Sequence, residues 1–85
     1  MQRFEYVIKD EVGIHARPAG LLVKEAKKFK SKIIIEQEGK KAEATKLMAI
    51  MGLGIKCGQT VEVKIEGEDE QTALESMKLF FETNL

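Results

Sequence analysis

The hydrophobic period changes from two to about 3.6 and back along this chain, and that alternation leaves few folds open to it. In "RFEYVIK" (residues 3–9), Phe4, Tyr6 and Ile8 fall on one face and Arg3, Glu5, Val7 and Lys9 on the other, the pattern of a half-buried strand. "ARPAGLLVKEAKKFK" (16–30) then runs at helical spacing, with an apolar stripe of Ala19, Leu22, Val23, Ala26 and Phe29. "KIIIEQ" (32–37) reads as a β-branched strand, "EGK" as a tight turn at Gly39, and "KKAEA" (40–44) as a weaker partner strand. "TKLMAIMGLG" (45–54) is short, apolar and ends in glycines, which predicts a stubby helix capped by Thr45. "TVEVKIE" (60–66) alternates again through Val61, Val63 and Ile65. "GEDEQTALESMKLFFETN" (67–84) reads as a last helix, with Asp69 as its cap and Ala73, Leu74, Met77, Phe80 and Phe81 facing inward.

The order is therefore βαββαβα. Each strand has one apolar face and each long helix one apolar stripe. The economical arrangement is an α+β fold: a single four-stranded, mostly antiparallel sheet with the helices on one side. With 85 residues and no linker, repeat or low-complexity segment, one domain over 1–85 is expected. Fourteen basic and fourteen acidic side chains cancel, which argues against general attraction to nucleic acid or to an anionic membrane. The single cysteine, Cys57, cannot close an internal disulfide, and one histidine plus one cysteine makes a zinc site of the usual ligand types implausible. No signal peptide or membrane-spanning apolar run is recognisable, so a cytoplasmic protein without metal or cofactor is expected.

"GIHARPAG" (13–20) holds the only histidine and the only proline. If the first helix starts just after His15, then Ala16, Arg17 and Pro18 form its first turn, whose N–H groups have no partner inside the helix. Proline is tolerated there because its missing N–H would have been unpaired anyway. The free N–H groups of Ala16 and Arg17 make an anion seat beside the imidazole. The Arg17 guanidinium can grip a phosphate in bidentate fashion. A neutral imidazole is a nucleophile that can carry a covalent group. The stretch thus reads as a histidine that accepts a phosphoryl group, with Gly13 letting the preceding loop bend close to the ring. The plain alternative is a surface histidine at a helix start.

"GIHARPAGLLV" resembles the active-site segment of the HPr family, the histidine-containing phosphocarriers of the phosphoenolpyruvate-dependent sugar phosphotransferase system. "KLMAIMGLGIKCG" (46–58) resembles the family's second-helix signature, and the element order is similar to its open-faced β-sandwich, with three helices on one face of the sheet. The resemblance implies that His15 takes a phosphoryl group on Nδ1 from phosphorylated enzyme I and passes it to enzyme IIA domains of sugar permeases. It also implies that Arg17 stabilises that group, that Ala16 and Arg17 supply backbone donors, and that the protein is a carrier, not an enzyme, and a monomer.

Leu47, Met48 and Met51 lie on one side of the short helix, and the resemblance makes them a hydrophobic docking patch, while Ile50 and Leu53 are assigned to the core. Arg17, Lys24 and Lys27 share a face of the first helix and would form a basic rim toward acidic partners; Lys28, Lys30 and Lys32 are undecided. In many family members the second helix begins with a serine that a dedicated kinase phosphorylates. Lys46 stands there in this chain, with Thr45 just before it, so the serine is absent. A regulatory paralogue lacking the histidine is disfavoured by His15, while a nitrogen-linked relay remains the alternative. An acylphosphatase-like hydrolase would need a phosphate loop and a water-positioning amide, and Asn84, at the frayed end of the last helix, is the sole asparagine. A sheet-based RNA binder would need exposed aromatics, and Phe4 and Tyr6 are better spent on a core.

Overall fold

The computed structural model describes residues 1–85, and its elements follow the expected order. They are β1 (Gln2–Val7), α1 (Ala16–Ala26), β2 (Lys32–Gln37), β3 (Lys40–Glu43), α2 (Leu47–Gly52), β4 (Thr60–Glu66) and α3 (Glu70–Asn84). The strands form one sheet in the order β1-β4-β2-β3, in which every neighbouring pair is antiparallel. The register explains why the period-two pattern was so regular. Phe4 lies opposite Val63, Val63 opposite Ile35 and Ile35 opposite Ala42, giving one apolar row across all four strands. On the other face Arg3 donates to Glu62 at 2.9 Å and Lys64 to Glu36 at 2.9 Å, so that face carries charges of both signs and is left to solvent.

The helices cover the apolar face. Phe81 of α3 is fully buried, and the rings of Phe4, Tyr6 and Phe80 meet it edge to face at 5.6, 5.5 and 6.2 Å between centroids. Burial of such a ring contributes about 1.5–3 kcal/mol. Phe4 and Tyr6 are thus half-buried against the core on the helix-covered face, not exposed as an aromatic binding face.

Two capping expectations are corrected. The N-cap of α2 is Lys46, not Thr45, and it makes no side-chain cap bond. The Lys46 N–H donates to the Glu43 carbonyl at 3.0 Å, so Thr45 is spent in the turn that leaves β3. The helix is also shorter than "TKLMAIMGLG" implied, because Leu53 and Gly54 bond three residues back in a tighter turn. Asp69 does stand at the N-cap of α3, but its carboxylate does not cap that helix. It accepts from the backbone N–H of Lys30 and of Ser31, each at 2.9 Å, and from the Ser31 hydroxyl. It therefore fastens the start of α3 to the connection between α1 and β2. Gly67 makes that junction possible: its φ is +154°, and a Cβ there would come within 2.6 Å of the Ser31 Cα.

The Ser31 hydroxyl, followed by the backbone donors, holds the Asp69 carboxyl below its ordinary range. A depressed carboxylate stabilises the fold above its unfolded value of about 3.9, and that contribution is lost as pH falls through the folded value. Asp69→Asn is expected to lower stability at pH 7 and to flatten its decline below about pH 4. Urea midpoints of both proteins at pH 7 and pH 3 check this; equal acid sensitivity would remove Asp69 from the account.

Candidate functional site

The loop before α1 is fixed from both sides. The Ile8 N–H donates to Gln59, the Gly58 N–H to Ile8 and the Ile14 N–H to the Ile55 carbonyl at 3.0 Å. The Lys9 and Asp10 N–H groups donate to the Leu85 backbone oxygen, so the far end of α3 is tied down, not frayed. Within the loop, the Val12 N–H donates to the Asp10 carboxylate at 2.9 Å and the Gly13 N–H to the Asp10 carbonyl at 3.0 Å. Gly13 has φ +79°, and a Cβ on it would overlap the Ile55 carbonyl and come within 2.7 Å of the Lys56 Cα. Its role is therefore close approach to the segment after α2, not the bend toward the imidazole expected from the sequence.

This anchoring delivers His15 to the N-cap of α1 in an extended conformation, φ −98° and ψ −174°, with its side chain exposed and making no cap bond. The first bond of the helix runs from the Ala19 N–H to the His15 carbonyl at 3.0 Å. The N–H groups of Ala16 and Arg17 therefore point out of the helix end unpaired, and Pro18 loses nothing. Pro18 and Ala19 are buried, while Arg17 is exposed and has no acidic neighbour in the first turn.

His15 and Arg17 line a shallow depression together with Asp10, Pro18, Leu21 and Asn84. Asp10, Leu21 and Asn84 are not among the site residues expected from the sequence. Leu21 carried a usable signal, since it follows Arg17 by four residues and must share its helix face. Asn84 carried none, because only the docking of α3 brings it there; its side-chain amide donates to the Phe80 carbonyl at 3.2 Å.

On α2, Leu47, Met48 and Met51 are 39%, 77% and 38% exposed, while Ile50 and Leu53 are buried. Six residues cannot turn every apolar side chain inward, so an apolar surface is left beside α1, against which α2 packs. The lysines also separate. Lys28 pairs with Glu25 at 3.0 Å, Lys30 with Glu68 at 3.9 Å and Lys32 with Glu43 at 3.9 Å, whereas Arg17, Lys24 and Lys27 are exposed without a carboxylate within 4.0 Å. Glu25 also accepts from the Ser76 hydroxyl at 2.6 Å, which, with Lys28, lowers its carboxyl from the ordinary value and joins α1 to α3.

Cys57 is an exposed free thiol. No group of three or more His, Cys, Asp or Glu side chains is arranged to hold a metal ion, and no helix is long and apolar enough to cross a membrane.

A family model described as "PTS HPr component phosphorylation site" matches residues 2–83. The phosphocarrier protein HPr of Mycoplasma genitalium is 41% identical over 85 residues, covering 99% of this chain and 97% of that protein. The HPr-like protein Crh of Halalkalibacterium halodurans is 45% identical over 75 residues, covering 88% and 89%. Among solved structures, HPr-C-His from Thermoanaerobacter tengcongensis superposes with a TM-score of 0.93 at 39% identity, covering 99% of this chain and 94% of that one. Because the family model and HPr proteins match this chain along nearly its whole length in sequence and fold, the protein belongs to the HPr family.

Proposed function

We propose that this chain carries a phosphoryl group on His15, taken from phosphorylated enzyme I and ultimately from phosphoenolpyruvate, and delivers it to enzyme IIA domains of sugar permeases. The observation that carries this reading is the exposed imidazole at the head of α1, next to two unpaired N–H groups and the unpaired Arg17 guanidinium. The unprotonated Nδ1 attacks phosphorus as the bond from phosphorus to the donor breaks, with its electron pair leaving on the donor. The other ring nitrogen keeps its proton, so no separate base is needed. The helix N-terminus and Arg17 stabilise the charge on the phosphoryl oxygens. Because the site is open, the adduct stays accessible to the next acceptor, as a carrier requires. We read the protein as a cytoplasmic monomer.

Labelled phosphoenolpyruvate, magnesium and enzyme I test this reading: the label should enter the chain and leave again when a sugar-permease IIA domain is added. Label that enters but leaves only to a nitrogen-linked acceptor would favour that relay. The presence of His15 speaks against a regulator that has dispensed with histidine transfer.

Leu47, Met48 and Met51 serve as the docking patch, ringed by Arg17, Lys24 and Lys27 for acidic partners. Met48→Asp is expected to weaken binding to enzyme I and to IIA domains by roughly 1–3 kcal/mol with little change in melting temperature. Titration calorimetry with each partner and thermal melting check this; a large drop in melting temperature with unchanged partner affinity would place Met48 in the core and end the patch assignment.

Lys46 carries no hydroxyl, and its positive charge at a helix N-terminus costs about 0.3–1 kcal/mol. The serine arm of regulation is thus lost in this chain. Incubation with the dedicated kinase and ATP should leave no acid-stable phosphate by mass spectrometry. Efficient modification of Thr45 with loss of enzyme I transfer would contradict this, and Lys46→Ser should restore recognition.

A further inference from the structure

Among the six residues lining the His15 depression, Asp10 is the only carboxylate and Arg17 the only permanent cation. Asp10 is not a loose surface acid. Its N–H donates to the Leu85 oxygen, its carbonyl accepts from Gly13, and one carboxylate oxygen accepts from the Val12 N–H at 2.9 Å. The negative charge is therefore held in place at the edge of the site. It forms no ion pair with Arg17 that would cancel it.

Resting on the carrier reading of His15, we propose that Asp10 is an electrostatic counterweight to Arg17 that keeps the phosphoryl group from being held too tightly. Arg17 and the helix N-terminus favour the doubly charged phosphoryl group, and Asp10 opposes it through space. A carrier must take the group from one protein and surrender it to another, so a bound state that is too stable would stall transfer. A fixed carboxylate on a residue that lines the same depression as the acceptor raises the free energy of the phosphorylated form without touching the nucleophile.

The test measures the equilibrium of phosphoryl exchange between phosphorylated enzyme I and the chain, for wild type, Asp10→Asn and Asp10→Glu. Asparagine keeps an oxygen for the Val12 N–H and removes only the charge. Asp10→Asn is expected to shift the equilibrium toward phosphorylated His15 by roughly three- to ten-fold at low salt, and Asp10→Glu to stay near wild type. The difference should shrink toward none in high salt, which a change in loop structure would not do. If Asp10→Asn fails to fold, Asp10→Ser, which keeps an oxygen acceptor, carries the same expectation. No shift at low salt, or a shift that salt leaves unchanged, overturns the inference while the carrier reading stands. A wild-type chain that takes up no phosphate removes both.

Discussion

His15→Ala is expected to abolish phosphoryl uptake from enzyme I while leaving the fold in place. The side chain is exposed and makes no cap bond, so its removal should change stability by no more than about 0.5 kcal/mol. The chain has no second histidine, so no other imidazole can substitute. Radiolabel incorporation and thermal melting on the same preparation separate the two effects. Uptake that survives the substitution would mean that another residue accepts the group. An unfolded variant would mean that His15 holds structure, contrary to its exposure.

Gly13→Ala is the other change with a large expected effect, this time on stability. The positive φ alone disfavours alanine, and the added Cβ collides with backbone atoms of Ile55 and Lys56, which cannot move aside as a flexible side chain would. A loss of roughly 2–4 kcal/mol is expected. For a chain of this size that corresponds to a fall in melting temperature of roughly 10–25 °C. Since the Ile14 N–H bonds Ile55 next to this contact, the surviving folded fraction should also carry a displaced His15 and transfer phosphate more slowly. Scanning calorimetry and single-turnover transfer check the two parts. A melting temperature within about 3 °C of wild type would show that the loop accommodates a side chain there.

The sheet and helices were legible because burial on one face leaves a direct trace in sequence. Phe4 and Tyr6, Ile33 and Ile35, and Val61, Val63 and Ile65 alternate because their neighbours face solvent. The start of α1 was legible for a local reason too, since Pro18 can stand in a helix only where no N–H is needed. The caps were less so. Cap preferences describe isolated helix ends, and at Asp69 a buried Ser31 offered the carboxylate a better set of donors than its own helix. At Thr45 the geometry of leaving β3 moved the helix start one residue on. Around His15, what lies beside it in the chain is legible, and Asp10 and Asn84 are not. No local pattern marks the first, and the second is 69 positions from His15, joined only by the packing of α3.

Where the phosphoryl group resides is the central point, and direct mapping of the adduct tests it. After loading with phosphoenolpyruvate and enzyme I, the chain is digested under alkaline conditions, its peptides are sequenced by mass spectrometry, and the intact adduct is examined by phosphorus NMR. One phosphoryl group per chain is expected, on Nδ1 of His15, lost in mild acid and stable in alkali. Acid-stable phosphate, or phosphate on a hydroxyl such as Thr45 or Ser31, would contradict it.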